Sequence, residues 1–312
     1  MLLLGLVLAA QSIEPTSRAS VTRAAFEDRH AMVLVGPPDG GAGLWIAFNP
    51  RTASIMKVWD GTLDRRGKVF DFSQENSRAE GKVIAAAPDE LVRLPDGPAA
   101  PRGWQLKDVR WQGGGWHFDS AGASITSPPF DRKGMQDVYV AFDEASRKAR
   151  LNVSVLTESG APTGEQFQSG THVTSDTEWQ WNYKRILVGP GRARVRAFQT
   201  AQSDNKSVRN LRVFADPVGW TWGGVPVRSA QLVAYQLLPE RAVLIECRLT
   251  GPDGDIEAVT VTVKPYGRGF SEENRVVSMN PAIQPVLPHM ATARGSVNRL
   301  PSGLTLSQGM AR

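Results

Sequence analysis

Short runs in which apolar and polar residues alternate, separated by turns rich in glycine and proline, recur along most of the chain. Two such runs, at 43–48 and 54–61, flank the turn at 49–53, and two strand-like runs joined by a short turn predict a β-hairpin. No stretch keeps the helical period over several turns, which argues against helices alternating with parallel strands. The pattern predicts an all-β protein built from two antiparallel β-sandwiches of the jelly-roll type.

The same pattern marks a second region of closely spaced strands after residue 104. Runs at 105–111 and 116–118 flank three consecutive glycines, an arrangement that predicts a tight hairpin. The preceding stretch, 88–101, contains four prolines and little periodicity. We interpret this stretch as a linker.

The composition fits a globular protein and excludes few functions. The chain has 312 residues, of which 41% are hydrophobic and 21% charged, with a formal net charge of +5, and this length allows about two domains. Arg192, Arg194 and Arg196 alternate along one run, so they share one face of a strand. That face is either solvated or a surface for an anionic partner such as a polysaccharide or another protein. No nucleic-acid-binding motif is present, so nucleic acid is not a predicted partner.

The first twelve residues are typical of a secretory signal peptide. The apolar stretch 2–10 has the length of its hydrophobic region, and 10–12 has the small-x-small pattern of a cleavage site. The alternative is a buried N-terminal strand. This stretch is too short to cross a bilayer, and no later one predicts a transmembrane helix. We therefore expect an exported protein, periplasmic or extracellular. The single cysteine, Cys247, lies in an apolar run, which predicts a buried thiol.

Two strand sequences near the N-terminus carry a family resemblance. They are G-L-W-I-A-F at 43–48 and K-V-W at 57–59, followed by Gly61. The segment 29–83, which contains these two strands, resembles a module that lies upstream of c-type cytochrome domains in large secreted proteins of planctomycetes and related bacteria. The three-strand meander at 231–264 resembles the segment that follows this module in those proteins. The resemblance implies a β-sandwich module accessory to a cytochrome or sugar-oxidation system. It implies no haem here, since the chain lacks a C-x-x-C-H motif, and it assigns no catalytic residue.

The resemblance also implies a domain layout. If 29–86 and 219–264 are two halves of one module, the segment between them is an insertion into a surface loop. The inserted segment resembles galactose-binding-like or lectin-like jelly rolls. The predicted boundaries are 1–12 for the signal peptide, 13–98 plus 219–267 for a discontinuous first sandwich, 101–217 for the inserted sandwich and 268–312 for a C-terminal tail.

Three pairs of tryptophans are candidates for ligand binding. Residues two apart in an extended segment lie on the same face, and exposed indoles offer a flat apolar face to a sugar ring. The alternative is that each pair fills the space between two sheets. The pairs are Trp179 with Trp181, Trp220 with Trp222, and Trp111 with Trp116 on either side of the three glycines.

Three acidic residues near the ends of predicted strands, with a fourth in the preceding loop, are candidate ligands of a structural calcium ion. Jelly-roll domains often hold such an ion through loop carboxylates and carbonyl oxygens. The alternative is a set of solvated turn residues. No other cofactor is predicted. The four residues are Asp131, Asp137, Asp143 and Glu144.

No convergent catalytic set is found in the sequence. The Gly-x-Ser-x-Gly, P-loop and dinucleotide motifs are absent, and the four histidines show no ligand spacing. We therefore predict a secreted, non-catalytic module that binds a carbohydrate polymer or a cell-surface protein. One alternative is a carbohydrate-active hydrolase or lyase, which needs two facing carboxylates on a β-sandwich. Another is a structural envelope protein with buried tryptophans and an unpaired strand edge or apolar patch.

Overall fold

Every regular element in the described part of the chain is a β-strand, so the prediction of an all-β fold is confirmed. The predicted signal peptide, 1–12, lies outside the described residues. No helix long and apolar enough to cross a membrane occurs within them. The computed structural model describes residues 18–68, 75–87, 89–99, 101–131, 137–145, 151–169, 179–189, 191–200, 206–266, 269–286, 294–299 and 304–310.

The first five strands form a small closed barrel. Successive strands pair antiparallel, and a short parallel pairing of the first strand with the fifth closes the barrel. The hairpin predicted around the turn at 49–53 is present as the third and fourth strands. The strands are β1 (Ser20–Phe26), β2 (Arg29–Gly36), β3 (Gly43–Asn49), β4 (Ser54–Lys68) and β5 (Glu75–Ala86).

Aromatic side chains fill the interior of the barrel. Trp45 and Trp59 are paired across β3 and β4 with ring centroids 5.9 Å apart, and Phe26 stacks on Trp59 at 5.3 Å. Where β4 and β5 run closest, only glycine fits. A Cβ atom added at Gly61 would lie 2.0 Å from the carbonyl oxygen of Glu80.

The chain then forms the two sheets of a sandwich. The first, called the β12 sheet, has the order β15-β12-β17-β9-β8, with β6 also paired to β17. Its strands are β6 (Glu90–Arg93), β8 (Val109–Gln112), β9 (Gly115–Phe118), β12 (Val138–Ala145), β15 (Gln180–Ile186) and β17 (Lys206–Ala215). The hairpin predicted around the three glycines is present as β8 and β9.

The second sheet of the sandwich, called the β16 sheet, has the order β14-β13-β16-β10-β7, with β11 also paired to β16. All its pairings are antiparallel. Its strands are β7 (Gln105–Lys107), β10 (Ser124–Thr126), β11 (Phe130–Asp131), β13 (Asn152–Thr157), β14 (Pro162–Gln168) and β16 (Arg192–Phe198).

The last part of the chain builds a six-stranded antiparallel sheet, the β21 sheet, in the order β20-β21-β22-β23-β26-β25, and a small sheet in the order β19-β18-β24. The segment 268–312, predicted as a tail, contributes β23 to β26. The strands are β18 (Trp220–Trp222), β19 (Val225–Pro226), β20 (Ser229–Leu237), β21 (Val243–Thr250), β22 (Ile256–Tyr266), β23 (Gly269–Val276), β24 (Ile283–Pro285), β25 (Arg294–Arg299) and β26 (Leu304–Met310).

Two large hydrophobic clusters hold these layers together. The buried residues of one cluster come from 19–85 and 220–283, and they pack the outer face of the barrel against the β21 sheet. Cys247 belongs to this cluster and is buried, as predicted. The buried residues of the other cluster come from 94–215 and fill the sandwich. Each cluster is built from side chains that alternate along the strands, which is the period of a half-buried strand.

Candidate ligand-binding site

The outer face of the β16 sheet carries the arginine row that the sequence predicts. Every second residue of β16 is a buried alanine or valine of the sandwich core, so Arg192, Arg194 and Arg196 lie on the outer face. Arg196 is paired with Thr126 of β10 on one side and with Ser154 of β13 on the other. Directly paired residues in antiparallel strands share a face. Hydroxyl side chains therefore flank this arginine on both sides.

A cleft of about 350 Å³ lies on this outer face. Its floor is formed by β10 and β16, with β7 as one wall and the turn between β13 and β14 as the other. Two floor residues, Ser124 and Thr126, are only 6% and 7% exposed although the core lies on the opposite side of their strand. Polar residues so little exposed on an outward face indicate a concave surface. The walls add Gln105, Lys107 and Ser159.

Arg194 is held in place by backbone groups on two sides of the cleft. Its Nε donates to the carbonyl oxygen of Glu158 at 3.0 Å, and its Nη1 donates to the carbonyl oxygen of Ser127 at 3.0 Å. Arg192 pairs with the carboxylate of Glu158 at 2.7 Å. These contacts tie the β13–β14 turn to the floor and fix the orientation of the Arg194 guanidinium.

Arg196 has fewer partners than Arg194. Its guanidinium carbon lies 5.0 Å from the centroid of the Phe198 ring, a distance typical of a cation–π contact. No described carboxylate lies within ion-pair distance of Arg196 or of Lys107. Both cations are therefore available to a ligand in the cleft.

The cleft offers hydrogen-bonding groups without a nucleophile–base pair. Among its described lining residues, Glu158 is the single carboxylate, and histidine and cysteine are absent. Glycoside hydrolysis needs two carboxyl groups about 5 to 10 Å apart. The amide, hydroxyl and guanidinium groups that line the cleft instead donate to and accept from polar ligands. The described lining can therefore bind a polar ligand through hydrogen bonds.

Trp220 and Trp222 pack against the core that joins the barrel to the β21 sheet. Trp220 is fully buried, and its indole N–H donates to the carbonyl oxygen of Ala53 at 2.9 Å. Trp222 is half-buried against the same cluster. A Cβ atom added at Gly251 would lie 2.8 Å from the Trp222 ring. Trp220 therefore packs in the interior, and Trp222 packs in part against the same cluster.

Trp111 and Trp116 form an edge-to-face pair at the edge of the sandwich, with ring centroids 5.6 Å apart. Trp116 is buried, and its indole N–H donates to the carbonyl oxygen of Pro95 at 3.2 Å. Trp111 is half-buried against the sandwich core. This pair also serves packing.

Trp179 and Asp143, predicted for separate roles, are brought together by Arg209. The guanidinium carbon of Arg209 lies 4.2 Å from the centroid of the Trp179 ring, and its Nε donates to Asp143 Oδ2 at 3.1 Å. Trp179 is half-buried and lies against Gly115 of the β8–β9 hairpin. The side chain of Trp181 lies outside the described residues. Trp179 and its two neighbours form a second, smaller polar–aromatic surface.

The structure does not gather the four carboxylates predicted as calcium ligands. Asp131 is exposed on β11, and Asp137 lies where the sandwich meets the barrel. Asp143 is engaged as described above. Glu144 is buried, with its Oε1 3.9 Å from the Nζ of buried Lys206. Burial raises the pKa of Glu144 to about 6 and lowers the pKa of Lys206 to about 8.

A different group of ligand atoms is close enough to hold a metal ion. Within the described residues, His30, Asp137 and Asp216 place one such atom each within 4.8 Å of one another. Both carboxylates already bind arginines. Arg51 donates to Asp137 Oδ2 at 2.8 Å, and Arg29 donates to Asp216 Oδ1 at 3.1 Å. Because these cations balance the carboxylate charges, we assign the group to the junction between barrel and sandwich, not to a metal.

The junction is centred on a buried arginine. Arg29 is 4% exposed and contacts both Asp216 and Asp89. Its guanidinium carbon lies 4.5 Å from the centroid of the Phe214 ring. Burial raises the pKa of Asp216 to about 6, and the charge of Arg29 acts in the opposite direction. The barrel and the sandwich are thus joined by charges that have little access to water.

His30 is a neutral imidazole at this junction. The side-chain oxygen of Asn49 accepts from the backbone N–H of Arg51 at 2.9 Å, and the same oxygen lies 3.0 Å from His30 Nε2. His30 Nε2 therefore carries the hydrogen, and Nδ1 faces the hydroxyl of Tyr139. Burial and, to a lesser extent, the nearby charge of Arg51 lower the pKa of His30 to about 4.

Comparison with known proteins assigns no family to the chain. No protein-family model matches the sequence, and no curated protein matches it. The resemblance to a cytochrome-associated module therefore stays a prediction.

Proposed function

We propose that the protein is a secreted, non-catalytic module that binds a carbohydrate polymer through the cleft on the outer face of the β16 sheet. The observation that carries this proposal is a concave surface of about 350 Å³ lined by hydroxyl, amide and guanidinium groups. This volume falls in the range of about 300–1,000 Å³ in which small-molecule sites occur.

The lining chemistry supports a sugar as the ligand. A sugar hydroxyl donates one hydrogen bond and accepts others, and the side chains of Gln105, Ser124 and Thr126 can do both. Arg194 is fixed by two backbone carbonyls before any ligand binds. A fixed donor loses less conformational entropy on binding than a mobile one.

A second surface remains a candidate for a cell-surface partner. Trp179 is stacked under Arg209 beside Asp143, and it is half-buried, whereas Trp116 and Trp220 are buried. Indole and guanidinium groups are enriched where proteins bind partners. The proposal of export rests on the signal-like sequence at 1–12. The proposal of an accessory role beside a cytochrome system rests on the resemblance of the segment 29–83 to the cytochrome-associated module.

The test is binding of the full chain to a panel of soluble and insoluble polysaccharides, by affinity electrophoresis and pull-down. Ser159→Trp places a bulky side chain in the wall of the cleft without touching the core. Ser278→Trp is the matched control, since Ser278 is an exposed serine in the turn after β23. We expect the wild type and the control to bind the same polysaccharide, and Ser159→Trp to bind about tenfold more weakly or not at all.

Other outcomes separate the alternatives. If no polysaccharide binds to the wild type, the proposal is refuted. If Trp179→Ala abolishes binding while Ser159→Trp does not, the site is the second surface. Hydrolysis of a bound polysaccharide by the wild type would favour the carbohydrate-active enzyme.

A further inference from the structure

We propose that the cleft on the β16 sheet selects sugars that carry a negative charge, as a carboxylate or a sulfate. The proposal rests on the function proposed above, because it names the class of carbohydrate that the same cleft takes. It follows from an imbalance of charge in the cleft and from the geometry of the cations.

The lining of the cleft is cationic. It contains Lys107, Arg194 and Arg196 against one carboxylate, Glu158. That carboxylate is already paired with Arg192 at 2.7 Å. Arg194 is anchored by neutral carbonyl oxygens and keeps its full charge. An anionic ligand would balance a charge that the described residues leave unbalanced.

The cations are spaced for a ligand wider than a single ion. Arg194 and Arg196 are two residues apart on one face, which places their Cα atoms about 7 Å apart. Lys107 lies on β7, and β10 lies between β7 and β16. The strand that carries Lys107 is therefore about 10 Å from the strand that carries the arginines. The hydroxyls of Ser124 and Thr126 occupy the floor between them. Charged groups therefore surround a floor suited to sugar hydroxyls.

Arginine is suited to the charged group of such a sugar. The planar guanidinium donates two parallel hydrogen bonds to a carboxylate or sulfate. The N–H groups of Arg196 have no described carboxylate partner. Nucleic acid is also anionic, but single strands bind by stacking bases on aromatic side chains. No aromatic residue is among the described residues that line the cleft, which favours an acidic sugar.

The test compares acidic ligands with uncharged counterparts built on the same sugar backbone, using the full chain in isothermal titration calorimetry. The first pair is oligogalacturonate and its methyl ester, and the second is dextran sulfate and dextran. We expect each acidic ligand to bind about tenfold or more tightly than its neutral partner, with the difference shrinking between about 50 mM and about 500 mM NaCl. Preference for one acidic ligand over the other identifies carboxylate or sulfate as the charged group.

The variants locate the effect. Arg196→Gln and Lys107→Gln should each lose most of the preference for the acidic ligand. Arg248→Gln is the matched control, because Arg248 is an exposed arginine of the β21 sheet, and it should keep the preference. Lys107 is exposed on β7, so its variant gives an answer even if Arg196→Gln unfolds.

The remaining outcomes overturn the inference in distinguishable ways. Equal binding of acidic and neutral ligands overturns charge selection and leaves the proposed function standing. Absence of binding by all four ligands and by the polysaccharide panel overturns both. Equally tight binding of single-stranded DNA, lost to the same extent in Arg196→Gln and Arg248→Gln, indicates unspecific attraction of polyanions and also overturns the inference.

Discussion

Replacing Arg29 by methionine is expected to destabilise the protein strongly, because it leaves a buried carboxylate without its cation. Arg29 is 4% exposed and its partner Asp216 is 0% exposed, with Nε 3.1 Å from Oδ1. Removing one partner of such a pair costs about 3–5 kcal/mol. The contact with the Phe214 ring contributes about 1 kcal/mol more. We expect the free energy of unfolding to fall by about 4–6 kcal/mol at pH 8.

The loss should be smaller in acid. Burial raises the pKa of Asp216 from its ordinary value of 3.8 to about 6, and removal of Arg29 raises it further. A carboxyl whose folded-state pKa lies above its unfolded-state pKa disfavours folding when it is ionised. This cost disappears as the pH falls below the folded-state pKa. Arg29→Met should therefore lose less stability at pH 5 than at pH 8.

The assay is urea unfolding followed by tryptophan fluorescence at both pH values. Arg110→Met is the matched control. It removes an exposed ion pair with Asp119 at 3.1 Å, which is worth less than about 1 kcal/mol. The double variant Arg29→Met/Asp216→Asn should recover part of the loss at pH 8. A loss no larger than that of Arg110→Met, or an equal loss at pH 5 and pH 8, would refute the reasoning.

Three further predictions concern stability and use urea unfolding. Gly61→Ala should lower the free energy of unfolding by more than about 3 kcal/mol, because the added Cβ would lie 2.0 Å from a carbonyl oxygen. The control is Gly189→Ala at an exposed position, where the added Cβ meets no atom within 4 Å and the free energy of unfolding should stay within about 0.5 kcal/mol of wild type. Equal effects of the two substitutions would contradict this. The double variant Lys206→Met/Glu144→Leu should be at least as stable as wild type at pH 7, since apolar replacement of a buried ion pair is neutral or stabilising. A large loss of stability would mean that the ion pair stabilises the folded protein. Between pH 6.5 and pH 4 the free energy of unfolding of the wild type should fall by up to about 3 kcal/mol more than that of His30→Gln. The reason is that burial lowers the folded-state pKa of His30 from 6.5 to about 4, which disfavours the protonated form in the folded protein. Parallel pH profiles of stability for the two proteins would disprove the shift.

Much of the fold can be predicted from local pattern. Alternation and turn residues are enough to predict an all-β chain, the β3–β4 hairpin and the β8–β9 hairpin around three glycines. The alternation at 192–196 likewise places three arginines on one face. In each case the determining contacts are between residues close in sequence, so the information is present in short windows.

The site required information that local pattern does not contain. A Trp-x-Trp spacing shows that two indoles share a face, but not whether another sheet covers that face, and Trp220 is covered. The cleft forms because β7, β10 and β16 are neighbours although distant in sequence. The junction pairs His30 with Tyr139 in the same way.

The predicted calcium ligands also stay apart. Asp137 lies just before β12, and Asp143 lies near the other end of that strand. Glu144 lies on the opposite face of β12 from Asp143, and Asp131 lies on β11 in the other sheet.

The central claim is that carbohydrate occupies the cleft on the β16 sheet. Hydrogen exchange measured by mass spectrometry on the full chain, with and without a bound acidic oligosaccharide, tests it most directly. The account predicts slower exchange in β10, in β16 and in the turn at 158–160 that forms the cleft wall, with no change in β21. Protection confined to β15 and the neighbourhood of Trp179, or protection nowhere in the β16 sheet while the ligand is bound, would contradict it.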